Sequence, residues 1–311
     1  MAIAIIGAGM AGLAAGRKLA DAGQAVTIFD KSRGLGGRMA TRRVDAMAFD
    51  HGAQYFTAKG AAFRAVVDGW RAQGHAADWF EGAHVGAPGM TAPARALAQG
   101  LDVVTSCQVS DLHRAPDGWT ILDKDGPVAT PGNGAFAHVV LAVPAPQALP
   151  LAASADVAFE AMERAVYAPC WALLLAFAQP TGLPDHAKHE RGAISWIARN
   201  ASKPGRAPQP ETLVVHASPD WSRQHLELTP EEAGERLIAH FAELTGVRDR
   251  PDYASAHRWR FALVETPAGA PFLFDEDSGL GACGDWCLGP RVEAAFDSGE
   301  ALAARILAFG R

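Results

Sequence analysis

A glycine pattern near the N-terminal end constrains this chain more than any other feature. Residues Gly7–Gly12 read G-x-G-x-x-G and directly follow the apolar run Ile3–Ile6. In this context Gly7 permits a tight turn, Gly9 lets a phosphate approach the backbone, and Gly12 lets the following helix pack closely on the strand. The pattern predicts that a nucleotide diphosphate binds at a helix N-terminus.

The segments after this motif complete a β-α-β unit. A helix is predicted over Met10–Ala22, and the apolar strand Ala25–Phe29 follows a stop at Gly23. Asp30 ends that strand, where a carboxylate accepts hydrogen bonds from a nucleotide ribose. The unit predicts a Rossmann-like domain with a mostly parallel sheet, in which Asp30 contacts a dinucleotide.

A second glycine-rich turn helps to choose between NAD and FAD. Lys31 begins a basic stretch that ends in Gly36-Gly37-Arg38. A domain that binds only NAD does not need this turn, whereas the extended FAD molecule runs past it, and Arg38 is a candidate partner for a phosphate. We therefore expect FAD, with Lys31, Gly36, Gly37 and Arg38 among the residues that bind it.

Composition excludes several classes of protein. The 311 residues carry 28 Lys+Arg against 34 Asp+Glu, a net charge of -6, which disfavours a nucleic-acid partner. Four cysteines are too few for a disulfide framework and complete no zinc site, so we expect reduced, buried thiols and no metal. No apolar run approaches the length of a membrane span and no leader precedes the first motif, which predicts a soluble, cytoplasmic protein. The sequence says nothing about oligomeric state.

The distribution of apolar runs predicts two domains of an α/β protein. The run Val139–Val143 is predicted to rejoin the first sheet, as are a helix near Pro93–Gly100, a strand at Leu101–Ser106 and the C-terminal helical pattern from Val292 to Phe309. Glu293, Asp297 and Glu300 take the other face of that helix. We predict an FAD-binding domain from residues 1–60, 93–145 and 262–311, and an inserted α+β substrate domain from residues 61–92 and 146–261.

The predicted substrate domain mixes strands with one long helix. Strands are predicted at Trp171–Phe177, Gly192–Ile197 and Thr212–His216, and a helix at Glu231–Leu244. In the first domain, a short strand around Trp119–Leu122 is followed by a Gly/Pro loop over Asp125–Gly134, which predicts a small antiparallel sheet.

Several motifs resemble a known family. The two glycine turns are similar to those of the flavin-containing amine oxidoreductase superfamily. Over nearly its whole length the chain also resembles the bacterial type of the renalase branch. The segments that carry this resemblance are Gly36–Arg43, Phe49–Thr57, Asn200–Arg206, His216–Ser222 and Gly284-Asp285-Trp286. The resemblance implies a non-covalent FAD and the oxidation of nicotinamide dinucleotides that carry their hydride at ring position 2 or 6.

The resemblance also assigns cofactor contacts. It implies that Asp285 contacts the ribityl or pyrophosphate part of FAD, and that the helix beginning near Val292 points its N–H groups at the flavin N1/C2=O edge. Gln54 and Tyr55 are expected to approach the isoalloxazine ring. His51 is a conceivable covalent tether, which nothing else in the sequence supports.

The chemistry of hydride transfer guides the predicted substrate contacts. Hydride transfer to a flavin requires a dry, aromatic-walled pocket more than an acid or a base, so we predict no catalytic base. Asn200 and His216 are candidate partners for a substrate carboxamide, and Trp286 and Tyr55 are candidate walls. Arg199, with Lys203 and Arg206, forms a cationic stretch that either contacts the substrate diphosphate or is simply solvated.

Two other functions stay open at this point. The first is an amine oxidase of the same superfamily, although only three tyrosines are present for an aromatic cage. The second is a sensor that binds a dinucleotide and has no catalytic activity. The leading expectation is an oxidase that passes electrons from a dihydro-NAD(P) isomer through FAD to O2, producing NAD(P)+ and H2O2.

Overall fold

The computed structural model describes residues 1–128 and 134–309. Residues 129–133 of the predicted Gly/Pro loop lie outside the described residues. The strands, in chain order, are β1 (Ala2–Ile6), β2 (Ala25–Phe29), β3 (Thr41–Val44), β4 (Met47–Asp50), β5 (Ala76–Phe80), β6 (Ala83–Gly86), β7 (Asp102–Val104), β8 (Val109–Ala115), β9 (Gly118–Asp123), β10 (Gly126–Pro127), β11 (His138–Leu141), β12 (Val166–Phe177), β13 (His186–Lys188), β14 (Ile194–Arg199), β15 (Glu211–Ala217), β16 (Tyr253–Thr266), β17 (Leu273–Asp275) and β18 (Leu280–Ala282).

The helices surround two larger sheets. In chain order they are α1 (Met10–Asp21), α2 (Ala61–Ala72), α3 (Ala92–Leu97), α4 (Ala145–Ser154), α5 (Glu160–Glu163), α6 (Pro219–Gln224), α7 (Pro230–Thr245), α8 (Asp285–Leu288) and α9 (Val292–Phe309). Short 3-10 helices lie at Gly37–Met39 and Asn200–Ser202. Within the described ranges, none of the helices has the length and apolarity that crossing a membrane requires.

The first sheet confirms the predicted α/β fold class. Its strand order is β17-β18-β11-β1-β2-β7, and every pair is parallel except the edge pair β17–β18. Ile3 and Ile5 of β1 face one apolar core, which contains α1 and α9, while Ala4 and Ile6 face a second core, which contains α4. Both faces are therefore covered, which explains the continuous apolar runs of these strands.

The second large sheet is antiparallel, and one of its faces packs against strand β4. Its order is β13-β14-β15-β12-β16. Leu173, Leu175 and Phe177 of β12 pack toward the helices of its outer side, whereas Leu174 and Ala176 pack on Phe49 of β4. We call the side that carries Leu174 and Ala176 the inner face. This packing brings the inner face against the chain segment that follows β4.

The packing disagrees with three predicted domain boundaries. Helix α2 contributes Phe63 and Trp70 to the same core as α1 and α9, and α4 contributes Ala148 and Leu151 to the other core of the first sheet. Strand β16 continues to Thr266, so the boundary predicted after residue 261 falls inside a strand. The antiparallel sheet begins only at β12, since the earlier helices bury their apolar faces on the parallel sheet.

Most predicted elements appear within a few residues of their expected ends, but several elements were not predicted, among them α2, α4 and β16. Strand β16 has 14 residues, and its outer side carries Arg258 and Arg260, which pair with Glu227. The four cysteines are unpaired; Cys107, Cys283 and Cys287 are buried, and Cys170 is half-buried.

Candidate cofactor and substrate site

The first glycine turn combines two crowded positions with one open position. Gly7 has φ +111°, and a Cβ there would lie 2.6 Å from the Ala142 oxygen. A Cβ on Gly12 would lie 2.0 Å from the Gly7 oxygen. A Cβ on Gly9, which precedes α1, would meet nothing within 4 Å. Backbone atoms therefore crowd Gly7 and Gly12, whereas the space beside Gly9 is open, as an approaching phosphate requires.

The second glycine turn is hydrogen-bonded to the first. Gly36 has φ +100°, and its N–H donates to the Ala8 oxygen at 2.9 Å. Asp30 joins the same turn, because its carboxylate accepts from the N–H groups of Ala8 and Ser32, both at 2.7 Å. Gly37 has φ +53°, and a Cβ on it would lie 3.5 Å from the Gly9 Cα. Lys31 is exposed, with its Nζ 3.3 Å from Gln147 Oε1.

Arg38 and Asp285 form a bidentate ion pair. The guanidinium donates to the two carboxylate oxygens at 2.8 and 2.7 Å, and also to the Ala262 oxygen at 3.2 Å. Burial acts to lower the pKa of Arg38, but the charge and hydrogen bonds of Asp285 raise it overall. Two residues predicted to bind different parts of FAD thus lie side by side, where the second glycine turn meets the start of α8.

The start of α9 corrects one expectation. Val292 is its first residue and is half-buried, but Glu293 does not lie on a solvent face. Its buried carboxylate accepts from the Lys59 N–H at 3.0 Å and from the Gly60 N–H, just ahead of α2. An acidic side chain is favoured at such a helix N-terminus, which is why it is drawn inside.

A buried ionic cluster lies behind the segment that follows β4. The Asp50 carboxylate is fully buried and accepts from Thr41 Oγ1 at 2.7 Å and from the Met90 N–H at 2.9 Å. It also pairs with Arg206 and, at 3.4 Å, with Lys203 Nζ. Burial alone would raise the pKa of Asp50, but the two cations lower it to about 2. Burial lowers the pKa of Lys203 to about 8.

This cluster orients Gln54. Its Oε1 accepts from Lys203 Nζ at 3.1 Å, and its Nε2 donates to the backbone oxygens of Asp50 and Gly52, the latter at 2.9 Å. His216 Nε2 lies 3.3 Å from both Gln54 Nε2 and the His51 oxygen. Because both Gln54 N–H groups have nearer acceptors and a carbonyl oxygen only accepts, His216 carries its proton on Nε2 and donates to His51.

Three imidazoles in this region are held neutral. Burial lowers the pKa of His51 to about 4, helped by the neighbouring His257, and burial likewise lowers the pKa of His216 to about 4. The pKa of His257 is lowered by burial and by the charge of Arg42. Trp259 Nε1 donates to the same His51 oxygen at 2.9 Å. The His51 oxygen is therefore held by two uncharged donors, His216 and Trp259.

The inner face presents one row of side chains to this segment. Trp196, His216, Ala172 and His257 stand directly opposite one another on β14, β15, β12 and β16. The strand register shifts beside Trp196 and again beside Trp259. Such bulges re-aim side chains and are frequent beside active sites.

Tyr55 and Trp196 belong to an aromatic cluster next to this row. The Tyr55 ring centroid lies 5.7 Å from that of Trp196 and 5.1 Å from that of Phe80. The His186 ring stacks between Phe80 at 4.3 Å and Trp196 at 5.3 Å. Tyr55 is 38% exposed, so one side of the cluster faces solvent.

Three of the predicted substrate residues bind other parts of the protein instead. The Asn200 amide is buried and bonds to the Asp50 N–H and the Ala48 oxygen, so it ties β4 to the second sheet. Trp286 is fully buried and donates to the Val143 oxygen, as a core residue does. Arg199 pairs with Asp185 and Glu211, and Lys203 and Arg206 are buried on Asp50 rather than solvated. The partners of Arg199 are 14 and 12 positions away, and the other partners lie far away in sequence, so no local pattern revealed them.

The pKa values of His216 and His51 predict acid sensitivity. An unfolded histidine has a pKa near 6.5, so between about pH 6.5 and 4 the unfolded chain binds more protons and the free energy of unfolding falls as pH falls. We expect a loss of about 1 kcal/mol per histidine between pH 7 and pH 5.5. Urea unfolding of His216→Asn at the two pH values should show a smaller fall than the parent. His113→Asn, which changes an exposed histidine, should show the parental fall, and equal falls in all three proteins would contradict the prediction.

Family models match almost the whole chain. Residues 5–70 match an NAD(P)-binding Rossmann-like domain, and residues 68–307 match the flavin containing amine oxidoreductases. The chain belongs to the flavin-containing amine oxidoreductase family. A flavin cofactor follows from membership, and the structure fits it, because the open Gly9 and the joined glycine turns provide a place for a diphosphate.

The individual similar proteins fit this family, but their names point to different substrates. A 4,4'-diapophytoene desaturase of Staphylococcus aureus is 50% identical over 52 residues, which are 17% of this chain and 10% of the desaturase. The chain thus matches about a tenth of the length of this curated relative. Similar solved structures are a protein described as a protoporphyrinogen oxidase from Exiguobacterium sp. 255-15 (TM-score 0.78, 13% identity, 98% of both chains) and the cyclohexylamine oxidase of Brevibacterium oxydans IH-35A (TM-score 0.72, 12% identity, 99% of both chains). A variant of putrescine oxidase is also similar (TM-score 0.73, 15% identity, 98% of both chains), and at these identities the likeness concerns the fold.

Proposed function

We propose that this protein is an oxidase with a non-covalent FAD, and that its substrates are the 2- or 6-dihydro isomers of NAD(P). When bound, the flavin would supply a hydride acceptor at N5 and a route for the two electrons to O2; with one proton from solvent, the products would be NAD(P)+ and H2O2. The protein supplies binding, orientation and exclusion of water. The dihydro form carries no proton that must be removed first, so the residues need no base.

The charges of the site favour an anionic substrate over a cationic amine. Asp50 is neutralised by Lys203 and Arg206, and Asp285 by Arg38. The imidazoles beside them are neutral at pH 7. A cationic amine would therefore find no free carboxylate among these groups, whereas the surplus cation of the Asp50 cluster favours an anionic dinucleotide.

The surroundings of His51 and of two buried cysteines support a non-covalent cofactor. The His51 Nδ1 lies 3.1 Å from the Ala40 oxygen, and its ring is packed against His257 and Trp259. Burial raises the pKa of Cys287 to about 12 and raises that of Cys283, so neither thiol is a ready nucleophile. The aromatic and neutral side chains around His51 also suit a hydride transfer, because such surroundings exclude water from a reacting nicotinamide ring.

Anaerobic mixing with candidate reductants tests the proposal. Purified protein should be yellow, and its flavin absorption should bleach with 2- or 6-dihydro-NAD(P) at least about a hundredfold faster than with putrescine or cyclohexylamine. Ordinary 4-dihydro-NAD(P) serves as the matched control, since it differs only in the position of the hydride. Faster bleaching by the amines would establish an amine oxidase instead. A colourless protein that binds dinucleotides without redox change would establish a sensor.

A further inference from the structure

The indole N–H of Trp196 is buried without a hydrogen-bond partner among the described residues. By contrast, Trp79 in the same aromatic cluster donates its N–H to Ser202 Oγ at 3.2 Å. Burying a donor without an acceptor is unfavourable, so such groups are uncommon and often mark a place where a ligand binds. Trp196 is therefore a donor for which the described part of the chain supplies no acceptor.

Trp196 lies on the inner face, in the region where the proposed substrate would bind. It stands opposite His216 on the inner face, where directly opposed side chains lie close together. The extra residue of the adjacent bulge is Ser195, whose hydroxyl donates to the backbone oxygens of His216 and Ala217 at 3.3 and 3.1 Å. Tyr55, which follows Gln54 in the segment after β4, packs against the same indole.

His216 provides a complementary acceptor beside this donor. Its Nε2 proton points at the His51 oxygen, as derived above, so the neutral ring carries a lone pair on Nδ1. No hydrogen bond to Nδ1 is formed within the described part of the chain. One donor and one acceptor thus stand side by side on neighbouring strands, which is the pattern that a planar primary carboxamide matches with its oxygen and its NH2 group.

We propose that Trp196 Nε1 donates a hydrogen bond to the carboxamide oxygen of the nicotinamide ring while His216 Nδ1 accepts from its NH2 group. This assignment rests on the proposed function and makes Trp196 a substrate-specificity residue. It also explains how one ring orientation is chosen, because turning the carboxamide over would place oxygen against the Nδ1 lone pair and NH2 against the indole N–H. A fixed orientation is needed to present one ring carbon to the acceptor.

Replacement of Trp196 by phenylalanine tests the assignment, because it keeps an aromatic ring and removes the N–H. Binding of NAD+, the expected product, is measured by calorimetry on the flavin-loaded protein. Trp196→Phe should weaken NAD+ binding about tenfold. The matched control Trp79→Phe, which removes an N–H already bonded within the protein, should change binding less than about twofold.

A second ligand separates hydrogen bonding from packing. The pyridinium dinucleotide in which a methyl group replaces the carboxamide should bind Trp196→Phe and the parent equally well. If Trp196→Phe weakens both ligands to the same extent, or weakens neither, the assignment is wrong. If the parent protein binds NAD+ and is bleached by a dihydro isomer, such a result overturns the Trp196 assignment alone. If the parent does neither, the proposed function fails as well.

Discussion

Asp50→Asn is expected to lower the free energy of unfolding by about 3–5 kcal/mol, since removing one partner of a buried ion pair leaves the other charge uncompensated. Here two cations, Lys203 and Arg206, lose their common anion, and all three side chains are almost completely buried. The neutral asparagine has nearly the same shape, so the change isolates charge from packing. Urea unfolding of the flavin-loaded protein measures it.

Two further variants identify the cause. Asp78→Asn removes a carboxylate that is 55% exposed and pairs with Arg71 and His84, so its effect should stay within about 1 kcal/mol. Adding Lys203→Met to Asp50→Asn should recover part of the lost stability, because only Arg206 then stays without a counter-ion. Equal losses for Asp50→Asn and Asp78→Asn, or a double variant less stable than Asp50→Asn, would show that buried charge is not responsible.

Gly52→Ala is expected to be one of the most damaging single methyl additions near the site. A Cβ there would lie 2.0 Å from the Arg38 oxygen, which also accepts from the Ala53 N–H at 2.8 Å. Backbone cannot swing aside as a side chain does, so the segment must move away from Arg38 and its ion pair with Asp285. We expect a loss of about 3 kcal/mol in the free energy of unfolding and a fall in bound flavin per protein. Chemical denaturation and the ratio of flavin to protein absorbance measure the two effects.

Gly69→Ala provides the control for an added methyl group. Gly69 lies inside α2, and a Cβ there would meet nothing within 4 Å. Helix propensity predicts a gain of about 0.5–1 kcal/mol and an unchanged flavin content. Full flavin content and parental stability in Gly52→Ala would mean that the segment after β4 is not held against Arg38 as the geometry indicates.

The cofactor side of the fold is largely predictable because its signals are local. Gly7, Gly9 and Gly12 sit between an apolar strand and a helix, and their conformations follow from short-range sterics. The apolar runs of β1, β2 and β11 likewise report burial on both faces. These features predicted the α/β fold, and the family match confirmed it.

The substrate side is less predictable because its decisive contacts are distant in sequence. Arg199, Lys203 and Arg206 have the same charge and lie in one short stretch. Lys203 and Arg206 share the buried Asp50, however, whereas Arg199 pairs with other carboxylates. Strand β16 escaped prediction because its outer side is half-exposed and charged, while its inner side carries His257 and Trp259 toward His51. The sequence marks Trp196 only as one of the tryptophans in the second domain that could line a pocket, and the strand register places it beside His216.

By itself the sequence determined the nucleotide-binding β-α-β unit, the fold class and the resemblance to a flavin family, since these depend on glycine sterics and hydrophobic periodicity within a few turns of chain. Only the tertiary structure decided which polar groups bind one another and which stay available. Arg38 and Asp285 are 247 positions apart, and Lys203 and Asp50 are 153 positions apart. Burial makes each of these groups depend on the partner that the fold brings to it, and no local pattern carries that information.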